Sequence, residues 1–196
     1  AEERNKELAA KDPEAARKAE ENKGKAKIVW VGTGEGNNRN SSSWGNGVYR
    51  STDGGATWTH RGLGDSHNIP RLAVDPRNPD VCYAACLGHL WGPNAERGLY
   101  KTSDGGKTWI AALQVNDRTG ATDVILDPTD PDTVYCAMYT RERKAWRYTS
   151  GSEEGGIFKS TNAGRTWTRL TNGLPQRTGN IGLDVFRKNP KVVYAI

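Results

Sequence analysis

The sequence is poor in the groups that most often carry chemistry: of 196 residues, three are cysteine, three histidine, one methionine and two phenylalanine. No apolar run approaches the ~20 residues of a membrane-spanning helix, and nothing at the start reads as a secretion leader. Cys82 and Cys86 lie four apart on one expected strand, about 13 Å from end to end and too far for a disulfide. Cys136 sits alone on the next equivalent strand, so buried free thiols acting as small apolar groups are expected. The histidines are far apart in sequence and no Asp-x-Asp ladder occurs, so neither a metal ion nor another cofactor is expected. The glycine-rich VGTGEG at 31–36 lacks the following helix and the Lys-Ser or Lys-Thr ending of a phosphate loop. A formal charge of +5 is mild for this length, and nucleic acid is not an expected partner.

What the sequence has is glycine, 23 residues, tryptophan, seven residues, and a repeat. STDGGATW at 51–58 returns as TSDGGKTW at 102–109 and as STNAGRTW at 160–167. A second marker precedes each box: GVYR at 47, GLYK at 98 and GIFK at 156. A third lies further upstream: LAVDPRNPDVCYAA at 72, VILDPTDPDTVYCAM at 124 and LDVFRKNPKVVYAI at 183, with only the second half, AKIVWVG, at 26. Tyr83, Tyr135 and Tyr194 hold equivalent places, and Trp30 takes the same place before them. One unit is therefore about 50–60 residues, a period that signals a repeat architecture.

The middle unit reads as four short strands, RLAVD, VCYAACL, GLYKTS and TWIAAL, separated by Pro, Asn, Asp and Gly turns. Four-stranded antiparallel sheets at a fixed period are β-propeller blades, so the expected fold class is all-β. The expected units are 25–66, 67–119, 120–178 and a partial 179–196: about three blades and a fraction. Closed propellers have typically 4–8 blades. Further blades, from a longer parent chain or from other copies, are thus expected partners. Residues 1–24 follow a different grammar. Asp12 is a plausible N-cap, Pro13 fits the first helical position, and the Ala, Glu, Arg and Lys that follow favour a short charged helix or an unfixed extension.

Three copies of one acid some fifty residues apart cannot share one active site, and the third box replaces Asp53 and Asp104 by Asn162. The boxes read as scaffold. Ser51, Thr102 and Ser160 with Asp53, Asp104 and Asn162 are placed to bond the turn backbone. Gly55, Gly106 and Gly164 supply positive φ, and Trp58, Trp109 and Trp167 supply apolar plates against a neighbouring sheet. The pattern S-x-D-x-G-x-T-W after G-x-[YF]-[KR] resembles the Asp-box, or bacterial neuraminidase repeat, found in sialidases, xyloglucanases and sortilin-type receptor ectodomains. With the DPxNPDxVYxA turns and VWVGTGEGNNRNSSSWG, residues 26–196 most resemble the large secreted bacterial propeller proteins labelled sortilin-like or glycosyl-hydrolase-like. The resemblance implies an extracellular, periplasmic or cell-surface location. It is specific for fold and says little about function.

In a four-stranded meander, turns one-two and three-four share one end, and loops two-three share the other end with the blade-to-blade links. The long, varied loops therefore gather on one face. Each two-three loop holds a tryptophan: Trp44, Trp91 and Trp146. With Asn38, Arg39, His67, Arg141, Arg143 and Arg147 they suit a glycan or a peptide with charged ends; closing the loops onto the blades is their alternative role. RERKAWR at 141–147 reads equally as a solvated basic loop. Glu35, Asp65, His67, His89 and Glu96 are the candidate acids and bases, Glu35 and Asp65 foremost as catalytic carboxylates. Glycoside hydrolysis needs two carboxylates across one bond, and neither the sialidase arginine triad nor the two xyloglucanase aspartates can be carried over to positions here. The leading expectation is an extracellular sortilin-like propeller segment that binds a peptide or glycan. The alternatives are a glycoside hydrolase fragment and a structural assembly scaffold.

Overall fold

The computed structural model describes residues 27–37 and 41–196. The expected N-terminal helix, Asn38 and Arg39 lie outside them. By internal contacts the described residues divide into one unit of 27–29 with 51–58, and a larger one of 30–37, 41–50 and 59–196. Among the described residues, fourteen strands form four antiparallel sheets. The first has the order β1 (Val29–Gly32), β2 (Val48–Ser51), β3 (Thr59–His60). The second is a regular four-stranded blade, β4 (Arg71–Val74), β5 (Cys82–Cys86), β6 (Gly98–Thr102), β7 (Ile110–Leu113). The third contains β8 (Thr119–Leu126), β9 (Val134–Lys144), β10 (Arg147–Ser150), β11 (Gly156–Ser160) and β12 (Thr168–Leu170). The last pairs β13 (Leu183–Val185) with β14 (Val193–Ala195). The fold is an all-β propeller type.

The third sheet departs from the expected four strands. β9 runs for eleven residues, and its last four pair with β10 in a hairpin, Arg147 opposite Lys144 and Ser150 opposite Arg141. The segment expected as a basic loop is thus strand for most of its length, and Arg141 is fully buried.

Because side chains alternate along a strand, each inner strand feeds two cores, one on either side. Ala84 and Cys86 of β5 pack with Val48 and Leu63 of the preceding repeat and with Ile69 just before β4, whereas Tyr83 and Ala85 pack with Ala121, Val124, Val134, Cys136 and Met138 of the next. β9 repeats the device: Val134, Cys136 and Met138 face back, and Tyr135 and Ala137 face Ile157, Leu183 and Val185. The apolar burial that holds the fold lies between blades. All three cysteines are free and buried, as their sequence context implies.

The two later boxes stitch this stack. Trp109 Nε1 donates to the Arg61 carbonyl at 2.5 Å, and Trp167 Nε1 to the equivalent Ala112 carbonyl at 2.8 Å. Within each turn the oxygen of Ser51, Thr102 or Ser160 accepts the backbone N–H of Gly55, Gly106 or Gly164 at 2.8–2.9 Å. Oδ1 of Asp53, Asp104 or Asn162 accepts the N–H of Thr57, Thr108 or Thr166 at 2.9–3.0 Å. The Thr57 and Thr108 hydroxyls donate to the carboxylates, while in the third box the Asn162 amide donates to Thr166 Oγ1 at 2.7 Å. One polarity is reversed and the turn is unchanged. At the second turn position Gly54 and Gly105 have φ of 76° and 74°, but the third box holds Ala163 at 58°.

The marker before each box has a physical role as well. Lys101 sits directly across from Tyr83, and Lys159 from Tyr135. Each ammonium lies over its partner's ring, 5.2 and 5.3 Å from the centroid, as Arg50 lies 5.2 Å over Trp30.

Candidate functional site

The link after the first repeat and the two-three loop of the second meet on one face. The link enters a single 3-10 turn, Gly64–Ser66, between two non-glycine residues at positive φ, Leu63 at 57° and His67 at 61°. The second of these falls outside the usual left-handed basin, with ψ of −39°. Such backbone costs about 1–3 kcal/mol and persists only where its surroundings enforce it. Its effect is to lay the His67 ring on His89, centroids 3.8 Å apart and planes 21° from parallel. Trp44 also stacks on His67, ring centroids 5.2 Å apart. Histidines expected to be remote are neighbours.

His89 Nε2 lies 2.7 Å from the Asp65 carbonyl and 3.2 Å from Asp65 Oδ1. Asn94 Nδ2 donates to Asp65 Oδ2 at 2.8 Å. Burial, and then the neighbouring His89, hold His67 below its ordinary pKa, while Asp65 pulls the other way. Glu96 is pushed above the usual carboxylate range by burial and by the charge of Asp65, against backbone N–H groups of Ser66 and Asp65 that favour its anion.

The loop 87–92 is held by a residue that the sequence did not single out. Arg97 is fully buried, and its guanidinium donates to the carbonyls of Leu87, His89, Gly92 and Arg141 at 2.6–3.2 Å. Burial and the nearby Arg141 lower its pKa to about 10, still charged at neutral pH. Arg143 N–H donates to the Leu90 carbonyl at 2.8 Å, tying the same loop to β9.

These elements border a cavity of about 380 Å³, lined by Trp44, His67, Asn68, His89, Leu90 and Trp91 with two serines. Trp44 is 72% exposed and Trp91 53%. Asn68 Nδ2 donates to the Gly88 carbonyl at 2.9 Å, while its Oδ1 has no partner. Among the sequence candidates, the structure brings together Trp44, Asp65, His67, His89 and Trp91.

Glu96 stands beside this group, and the remaining described candidates are placed elsewhere. Trp146 is 82% exposed at the β9–β10 turn and is not part of this lining. Arg147 bonds Thr149 on its own hairpin, and Arg143 lies 5.3 Å over the Tyr148 ring. Arg141, offered as a surface ligand group, instead donates inward to the Gly36 and Asn37 carbonyls at 3.4 and 3.3 Å. Glu35 accepts the Ser43 N–H at 3.2 Å and lines a separate polar cavity of about 420 Å³ with Asn37, Thr122 and Asn180.

No family model matches the chain. A protein of Hypocrea jecorina (strain QM6a) named xyloglucanase is 30% identical over 156 residues, covering 66% of this chain and 17% of that protein. The oligoxyloglucan-reducing end-specific xyloglucanase of Emericella nidulans is 22% identical over 195 residues, covering 74% of this chain and 24% of the relative. Among solved structures, a GH74 enzyme of Niastella koreensis superposes with a TM-score of 0.59 at 25% identity, over 86% of this chain and 23% of that one. An ancestral GH74 enzyme gives 0.63 at 19% identity, over 87% and 20%. The chain therefore spans a quarter or less of the length of these relatives, and across that span it shares their fold.

Proposed function

We propose that this chain is the substrate-binding part of a β-propeller glycoside hydrolase, and that the cleft bordered by Trp44 and Trp91 takes a β-glucan chain of the xyloglucan class. The observation that carries the reading is the pair of largely exposed indoles on one cleft with polar groups between them. Indole faces pack against the C–H faces of pyranose rings, and the imidazole of His89 with the two serines lining the cleft gives hydroxyl groups polar partners. The names of the relatives favour this reading over a peptide-binding, sortilin-like role.

Two carboxylates must face each other across a scissile glycosidic bond. Asp65 stands at this site but Glu35 lines another cavity, so we assign this chain substrate binding and place the acid–base pair with the remaining blades, from the parent chain or further copies. No helix among the described residues is long and apolar enough to cross a membrane. A polysaccharide of this size is met outside the cell, which supports a secreted or surface location.

Calorimetric titration of the full chain with xyloglucan oligosaccharides tests the proposal. An indole–sugar stack worth roughly 1.4 kcal/mol corresponds to tenfold in affinity, so Trp44→Ala and Trp91→Ala are each expected to weaken binding about tenfold. Saturable binding that both variants leave unchanged, or no binding of any β-glucan, overturns it.

A further inference from the structure

We propose that Asp65, His67 and His89 form a binding site for one divalent transition-metal ion of the zinc and copper class. One carboxylate oxygen and two imidazole nitrogens lie within 4.8 Å of one another. Imidazole with carboxylate suits zinc, copper or nickel, whereas calcium and magnesium call for oxygen donors throughout. The inference stands on these three side chains and does not depend on the cleft binding a glycan.

Three further observations point the same way. The first is backbone strain: His67 is held at φ 61° and ψ −39° with no glycine to relieve it, and the product of that strain is the meeting of the two histidines. The second is charge. The Asp65 carboxylate lies beside the imidazoles, its Oδ1 3.2 Å from His89 Nε2, and favours a cation bound among them. The third is support. Asn94 holds Asp65 Oδ2 at 2.8 Å, the kind of outer contact that fixes a ligating carboxylate.

Donors each about 2.1 Å from a tetrahedral ion are about 3.4 Å apart, closer than the 4.8 Å spread here. Uptake therefore rotates the imidazoles out of their parallel stack, since ring lone pairs lie in the ring plane. Trp44, stacked on His67, reports the movement.

The test uses tag-free full chain, freed of metal with a chelator and titrated with Zn²⁺ by calorimetry and with Co²⁺ by visible absorption. One ion per chain is expected, with an intense Co²⁺ ligand-field spectrum and a change in tryptophan emission that Trp44→Phe removes. His67→Gln and His89→Gln, which keep side-chain length, should each abolish the spectrum, and Asn94→Ala should weaken affinity ~10–100-fold. His60→Gln, at the remaining histidine, should change neither. Thermal melts of the metal-free variants show that each is folded. No saturable uptake, or uptake that the two folded glutamine variants retain, overturns the proposal.

Discussion

The box turns make a sharp prediction at Thr102, whose side chain is 2% exposed. Its Oγ1 accepts the Gly106 N–H at 2.9 Å and the Asp104 N–H at 3.3 Å, and donates to Asp104 Oδ1 at 2.8 Å. Thr102→Val keeps shape and volume while removing all three bonds. Gly106 is buried beneath the Trp30 ring, and its N–H has no water to turn to. Leaving a buried donor unpaired costs about 1–3 kcal/mol, and the weaker Asp104 contact adds up to about 1. The sum is roughly 1–4 kcal/mol. With a urea slope of about 2–3 kcal/mol/M for a chain of this size, the unfolding midpoint should fall by about 1 M. Thr102→Ser restores the residue found at 51 and 160, keeps the hydroxyl and should stay within about 0.3 M of the parent. Equal losses in the two variants, or a valine midpoint within 0.3 M of the parent, would refute the view that the hydroxyl holds the turn.

Ala163→Gly should raise the melting temperature by about 1–3 °C, because relief of left-handed strain of about 1–2 kcal/mol exceeds the entropy glycine adds to the unfolded chain, about 0.5–1 kcal/mol. Arg97→Gln should lower the urea midpoint and speed hydrogen exchange across 87–92, since four carbonyls lose their shared donor; unchanged exchange there would remove Arg97 from its assigned role. Acid sensitivity should follow the box carboxylates. The Thr57 hydroxyl and N–H hold Asp53 at about 2 against an ordinary 3.8, and the Thr108 N–H and hydroxyl lower Asp104 further. A depressed folded pKa means support that is complete above about 4 and lost as pH falls toward 2. The double variant Asp53→Asn, Asp104→Asn should keep its midpoint at pH 7, as Asn162 does in the third turn, and unfold at lower pH in a circular-dichroism titration.

The scaffold was legible because its signals are local. A box of eight residues closes its own turn, so the same letters give the same bonds wherever they recur, and Asn162 in place of Asp53 and Asp104 pointed to a structural role. The site was less legible because it is made between repeats: His67 ends one link, His89 opens the next repeat's loop, and only packing of consecutive blades puts their rings 3.8 Å apart. Arg141 misled because charge outweighed parity. It shares the alternation of Tyr135, Ala137 and Tyr139, a period-two signal that the strand continued through it. For Arg97, a charged residue before GLYK, no pattern distinguished a buried staple from a solvated turn.

The seam tryptophans carry a consequence for how such chains diversify. Trp109 and Trp167 each seek a main-chain oxygen three residues past the preceding box. A carbonyl is present whatever amino acid stands there, Arg61 in one repeat and Ala112 in the next. The donor blade thus asks for no particular side chain, and a duplicated or exchanged blade meets a ready acceptor. The loops at the opposite end can change their chemistry without disturbing the joint.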